Sequence, residues 1–255
     1  MKIRCVWEHN QNDSILYSVD YIGAYTRGEN LETALQKMPR EIASYSAWSG
    51  AAAGTVNMKN EYNHHGEKLE GAAVETMDME IVQQKISGLQ ICDADSDVIF
   101  EEERKPLIPE EYDRLKSLAL KSAADFQKLY EAIPDKQKSV LPRRKTFYGE
   151  VPRTAEEMYQ HTKNVNDYYF GEIGVNADNR GTILECREKG FALLEKTPDF
   201  LENKVWLGSY EEEWSLRKVF RRFLWHDRIH GKAMYRMALK TFGEGSVPNI
   251  YKFQL

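Results

Sequence analysis

Three of the six histidines occupy positions where an imidazole is chemically useful. His226 and His230 stand four residues apart on an apolar stripe that also carries Leu216, Phe220, Phe223, Met234 and Met237, and His161 interrupts a second stripe with Met158, Val165, Tyr168 and Tyr169. Side chains at i and i+4 project from one helical face, one turn apart, so two imidazoles placed this way can share a metal ion. A third imidazole from a neighbouring helix completes a facial set and leaves a coordination position for water or substrate. Two hydrogen-bonded histidines at the edge of a core would show the same spacing. Burying three imidazoles in one core is costly unless each has a partner, and a divalent ion satisfies all three at once. The expectation is therefore a metal site at His161, His226 and His230. His9, His64 and His65 lie in turn-rich polar sequence and are expected to be solvated, with His64-His65 beside Glu61 and Glu67 in a polar loop.

Other chemistry has little support. There is no Gly-x-x-x-x-Gly-Lys-Ser/Thr loop, no Gly-x-Gly-x-x-Gly turn and no Gly-x-Ser-x-Gly elbow. No catalytic acid, base or nucleophile can be assigned. Cys5, Cys92 and Cys186 never form a Cys-x-x-Cys pair and are expected as three buried thiols in a reducing compartment. Trp214, Phe223 and Trp225 read as core. Arg217, Lys218, Arg221, Arg222 and Arg228 read as a solvated helix face, with an anion-binding strip as the alternative. Glu211-Glu212-Glu213 reads as favourable negative charge at a helix start.

The elements that must position these residues fall into two halves. Residues 2–8 and 14–20 alternate in the manner of strands, with Ile3, Cys5 and Trp7 on one face of the first and Ile15, Tyr17 and Val19 on one face of the second. Asn10-Gln11-Asn12-Asp13 between them is turn chemistry. A short run over 23–28 follows, and Asn30 then caps a helix carrying Leu31, Ala34, Leu35, Met38, Ile42 and Tyr45, which Pro39 is expected to kink or shorten. Residues 49–71 read as an irregular excursion. Strand alternation returns around Met77, Met79 and Ile81 and again at Val98-Ile99-Phe100, and the charged run Glu101 to Lys105 reads as a linker.

Beyond Pro106 the period lengthens to that of helices. Tyr112 to Tyr130 forms one stripe. A second helix starts at the capping box Thr154/Glu157 and runs through Tyr169; a third spans about 182–196; a fourth opens at Ser209 and stops at Gly243. The fold class is thus an α+β N-terminal domain, residues 1–103, followed by an all-α four-helix bundle, residues 104–255.

Length and composition fit this division. At roughly 100–200 residues per domain, 255 residues suit two domains. Net charge is −8 over residues 1–106 and +3 over the remainder, so nucleic-acid binding by the first part would have to overcome its own charge. No run approaches ~18 consecutive apolar residues and no signal-peptide pattern opens the chain, so a cytoplasmic protein without a membrane partner is expected.

Residues 107–243, with His161 in the second helix and Trp225-His226-Asp227-Arg228-Ile229-His230-Gly231 in the fourth, resemble the DinB/YfiT-like metalloenzyme superfamily. The resemblance implies a four-helix bundle whose metal ligands are His161, His226 and His230. It also implies bound nickel or zinc, a homodimer, and thiol-dependent transferase or isomerase activity on a small-molecule substrate. Tyr17 to Leu35, with a Gly, a polar cap and the Leu31-Glu32-Thr33-Ala34-Leu35 helix start, looks like a HicB-like domain. No helix-turn-helix or ribbon-like DNA-binding segment follows it, so no operator-binding or toxin-neutralising role is carried over. The resulting expectation is a metal-dependent enzyme, a thiol-dependent transferase or a hydrolase. The competing one is a non-enzymatic regulatory or binding protein that uses the HicB-like domain, with a structural metal or none.

Overall fold

The computed structural model describes residues 2–50, 77–93 and 95–255. The loop expected over 49–71, with His64 and His65, lies almost wholly outside these residues. The first part is a mixed sheet with one helix: β1 (Lys2–His9), β2 (Ser14–Ser18), β3 (Tyr25–Gly28), α1 (Leu31–Ser49) and β4 (Asp78–Ile86). The strand order is β3-β2-β1-β4, antiparallel except for the parallel pair β1 and β4.

β1 and β2 are central; β2 is buried on both faces, and β1 is covered on both faces except at the exposed Lys2 and Arg4. A register shift between Cys5 and Val6 breaks the simple alternation. Ile3, Cys5 and Leu16 therefore join a core with Ala34, Met38 and Ile42 of α1, while Val6, Ile15 and Tyr17 pack with Ile91, Val98, Phe100 and Trp225. The buried hydroxyls on β2 are satisfied: Ser14 Oγ accepts from Trp7 Nε1 at 3.0 Å, and Ser18 Oγ accepts from the Tyr21 amide at 3.0 Å. β2 ends at Ser18 rather than at residue 20, because Asp20 turns away to take the Arg4 amide at 2.7 Å and the Arg4 guanidinium.

Asn30 caps α1 as expected, its Oδ1 accepting from the Thr33 amide at 2.9 Å. Pro39 does not shorten α1, which continues for 19 residues to a left-handed Gly50. The lost backbone bond costs about 3 kcal/mol. Burial of Met38, Ile42, Tyr45 and Trp48, at roughly 1.5–3 kcal/mol for each large apolar side chain, offsets it.

Val98-Ile99-Phe100 forms no strand; it is extended chain buried against the sheet and α6, followed by a 3-10 turn at Glu101–Arg104. The charged run expected as a linker instead buries Glu103 against Arg221. The described C-terminal part is helical, with α2 (Pro109–Ala132), a hairpin of β5 (Lys145–Thr146) and β6 (Gly149–Glu150), α3 (Ala155–Lys163), α4 (Asn166–Gly171), α5 (Ile183–Leu194), a second hairpin of β7 (Trp206–Leu207) and β8 (Glu213–Trp214), and α6 (Leu216–Phe242). None of the described helices is long and apolar enough to cross a membrane.

Two helix boundaries differ from expectation. α6 is capped by Ser215, whose Oγ accepts from the Lys218 amide at 3.2 Å, and residues 209–214 form a turn and β8 instead. The second helix breaks at Asn164–Val165 into α3 and α4. Asn179 holds the break: its Nδ2 donates to the Asn164 carbonyl at 3.1 Å and its Oδ1 accepts from the Asp167 amide at 3.0 Å.

The change of period near Lys105 is not a break in packing. One core runs from Ile3, Cys5 and α1 to Phe126, Met158, Leu224, Met234 and Tyr251. Gly23 marks the closest approach. It has φ +92°, and a Cβ there would lie 2.5 Å from Leu224 Cβ and 3.0 Å from the α6 backbone. Only glycine allows the turn before β3 to rest on α6 two residues from His226.

Candidate metal centre

His161 comes from the last turn of α3, and His226 and His230 from the middle of α6. The capping box that starts α3 is formed: Thr154 Oγ1 accepts from the Glu157 amide at 3.1 Å, and the Glu157 carboxylate accepts from the Thr154 amide at 3.1 Å. Thr162 turns back to donate to the Met158 carbonyl at 2.8 Å, a contact that bends a helix at the turn bearing His161. On α6, Phe223, Leu224 and Trp225 each face a different core, which leaves His226 and His230 to face a cavity.

The three imidazoles converge. Their ligand nitrogens lie within 4.8 Å of one another. His226 Nε2 is 3.2 Å from His161 Nε2, and ring centroids are 5.0 Å apart for His161–His226, 4.6 Å for His161–His230 and 4.5 Å for His226–His230. Bonds of 2.0–2.1 Å in tetrahedral geometry put two ligand nitrogens about 3.3 Å apart, so the closest pair already has the separation of two ligands on one ion. His226 Nδ1 has no hydrogen-bond partner among the described residues. Neighbouring Asp227 does not supply one; it is fully buried and pairs with Arg187 at 3.3 Å.

Burial depresses all three imidazoles, and neighbouring charges add to it at His226 and His230. His226 and His230 lie well below the ordinary value, His161 below it; the other two histidines add to the effect at His226, and His161 and the Arg27 charge add to it at His230. Neutral imidazole is the ligating form. A base whose folded pKa is depressed stabilises the fold above its unfolded value of ~6.5, and that contribution is lost as pH falls towards the depressed folded value. Urea unfolding of metal-free protein should show stability falling below pH ~6.5 by about 1.4 kcal/mol per pH unit for each imidazole that protonates only on unfolding. The triple His161→Asn, His226→Asn, His230→Asn variant should lose that slope, and an unchanged slope would show that the three rings are not held neutral.

The cavity has a volume of about 830 Å³. Its walls come from both halves of the chain: Tyr25 and Arg27 of β3, Leu89, Cys92, Asp93 and Asp95 to Asp97, the β5–β6 hairpin tip Phe147-Tyr148, Tyr210, and α6 from Arg222 to Arg236. Spacing along the sequence carries no sign of the contributions from β3, from Leu89 to Asp93, from Asp95 to Asp97 and from the hairpin, because they meet the histidines only through the tertiary fold. Trp214 and Phe223 are core, as expected, and Trp225 is both core and wall.

Of the five basic residues expected on a solvated face, four are not solvated. Lys218 (0% exposed), Arg221 (2%), Arg222 (9%) and Arg228 (1%) are buried. Lys218 and Arg222 meet Glu212 at 2.8 and 3.7 Å, Arg221 meets Glu103, and Arg228 meets Glu41 at 2.5 Å. Each buried cation thus has a carboxylate, as the cost of burying charge requires. Burial lowers Lys218 to about 8 despite Glu212. Arg217 pairs with Glu111 at 2.5 Å.

Cys5 and Cys186 are buried thiols, but Cys92 is exposed and lines the cavity. Its pKa is raised, by desolvation first and then by Asp13 and Asp93, so it is not a poised nucleophile. His9 stacks on Trp7 at 3.8 Å and is not part of this centre. Comparisons with protein-family models, curated proteins and solved structures give no match for the chain.

Proposed function

We propose that this protein is a metal-dependent enzyme in which His161, His226 and His230 hold a divalent ion, nickel or zinc, at the wall of the cavity. The observation that carries the reading is the convergence of three burial-neutralised imidazoles, with ligand nitrogens within 4.8 Å, on a cavity large enough for a small-molecule substrate. An ion on three nitrogens supplies a Lewis acid that lowers the pKa of a bound water or thiol. The chain's own contributions are these: burial keeps the ligands unprotonated, Tyr169 packs edge-on against His226 at 6.1 Å, and the cavity walls orient what enters. The finer reading follows the residues that resemble the DinB/YfiT-like superfamily: α2, the broken α3–α4, α5 and α6 as a four-helix bundle, a HicB-like domain before it, a homodimer, and a thiol-dependent transferase or hydrolase reaction.

One observation favours the competing reading of a binding or regulatory protein. The 3.2 Å contact between His226 and His161 is also a normal N–H···N hydrogen bond, which would leave the rings partnered without a metal. Cobalt(II) added to metal-free protein separates the two. An open catalytic site should give a visible spectrum that changes with azide, and a sulfur-to-cobalt charge-transfer band with a small thiol. A spectrum that is absent, or insensitive to both at millimolar concentration, would overturn the enzyme reading. A response to azide alone would remove the thiol-dependent version and leave hydrolysis.

A further inference from the structure

We propose that the cavity takes an organic anion with a flat apolar body, and that Arg27 of β3 fixes the anionic group beside the histidines. The inference rests on the preceding reading only in treating the cavity as the substrate site.

Most of the carboxylates on the cavity wall are already committed. Asp93 meets Arg144 at 3.6 Å, Asp97 meets Lys85 at 2.5 Å, and Glu212 meets Lys218 and Arg222. Asp95 is the exception; burial raises its pKa, the charges of Asp97 and Glu212 add to the rise, and the cation acting against it is Arg222, at the other end of the α6 wall from Lys232 and Arg236. The cations on the His230 side are in excess. Among the described residues, Glu41 alone serves both Arg228 at 2.5 Å and Lys232 at 3.4 Å. Arg27 and Arg236 meet no carboxylate among the described residues, although both line the cavity.

Arg27 is the better placed of these two. Arg236 is exposed, whereas Arg27 is half-buried and braced: its Nη1 donates to the Cys92 carbonyl at 2.8 Å, and its guanidinium lies 5.7 Å from the centre of the Tyr25 ring. These contacts orient the fork without neutralising it, and the remaining N–H donors suit a carboxylate or phosphate accepted side by side. The mouth of the cavity is aromatic. Phe147 (59% exposed), Tyr148 (48%) and Tyr210 (94%) stand there rather than in a core, and Tyr210 is held at a left-handed φ of 59°. Exposed rings around an opening suit the flat apolar part of a ligand.

The test is titration of phenylphosphonate into the full chain, metal-free and zinc-loaded, read by tryptophan fluorescence because Trp225 lines the cavity. Saturable binding is expected. Arg27→Gln should weaken it at least tenfold in both forms, while leaving the zinc content and the binding of neutral benzyl alcohol unchanged. Arg27→Lys, which keeps the charge and loses the fork, should restore part of the affinity. Phenylphosphonate binding that does not saturate, that is indifferent to Arg27→Gln in the metal-free protein, or that Arg27→Lys fails to rescue would overturn the proposal. An equal loss of benzyl alcohol binding would overturn it too, by showing that Arg27 only braces the wall. Because the metal-free arm needs no ion, failure of the metal reading would appear separately, as absent zinc.

Discussion

Replacing His226 or His230 with alanine is expected to reduce bound divalent metal from about one ion per chain to none, in protein produced without a histidine tag and assayed by elemental analysis. Each substitution leaves two imidazoles, one of them across a helix–helix contact, and loses the i, i+4 pair that presents two nitrogens from one rigid helix face. The expected loss of affinity is on the order of a hundredfold or more, comparable to the loss of an orienting partner and larger for a direct ligand. His161→Ala should weaken binding less, because the pair on α6 survives. Added zinc at a hundred times its dissociation constant should raise the stability of the wild-type protein by about 2.7 kcal/mol and that of the two α6 variants hardly at all. Full metal content in the triple alanine variant would place the ion elsewhere in the chain.

The legible part of this centre is the part that local geometry controls. His226 and His230 can be paired from spacing alone, because the helix period fixes their common face whatever surrounds it. The same is true of the caps: Asn30, the Thr154/Glu157 box and the Gly243 stop act within four residues, and all three are formed. What could not be read depends on contacts far apart in the chain. The basic run on α6 looks solvated because the carboxylates that bury it, Glu103 and Glu41, lie 118 and 187 residues away from Arg221 and Arg228. The break between α3 and α4 is invisible in the stripe, because Asn179, on a later loop, takes the freed carbonyl. The Val98-Ile99-Phe100 run has strand composition, but it packs its side chains on the sheet without joining the hydrogen-bond ladder. The role of β3 in the cavity wall belongs to the same class, since nothing near Tyr25 or Arg27 in sequence points to histidines some 200 residues on.

Those distant ion pairs set the second large effect. Glu41→Leu is expected to destabilise the protein by about 3–5 kcal/mol, a substantial share of the roughly 5–15 kcal/mol that holds a typical domain together. Glu41 is on α1, is 6% exposed, and is the carboxylate that meets Arg228 in α6, two residues from each of the α6 histidines. Without it, the Arg228 guanidinium stays buried among Tyr45, Trp48 and Phe253, with ring centres at 5.0, 5.3 and 5.4 Å, and the rings recover only a fraction of the lost interaction. Glu41→Leu with Arg228→Leu removes the stranded charge, so the double variant should regain most of the loss. Because the pair joins the sheet half to the helical half, one cooperative urea transition is expected by circular dichroism and by tryptophan fluorescence alike. Residues 104–255 alone would leave Arg228 without Glu41 and Arg221 without Glu103, so this segment should be less stable than the full chain although its helical periodicity is complete within itself. A loss below 1 kcal/mol in Glu41→Leu, or two separate transitions in the wild-type protein, would show that the halves are joined by the chain and not by a shared core.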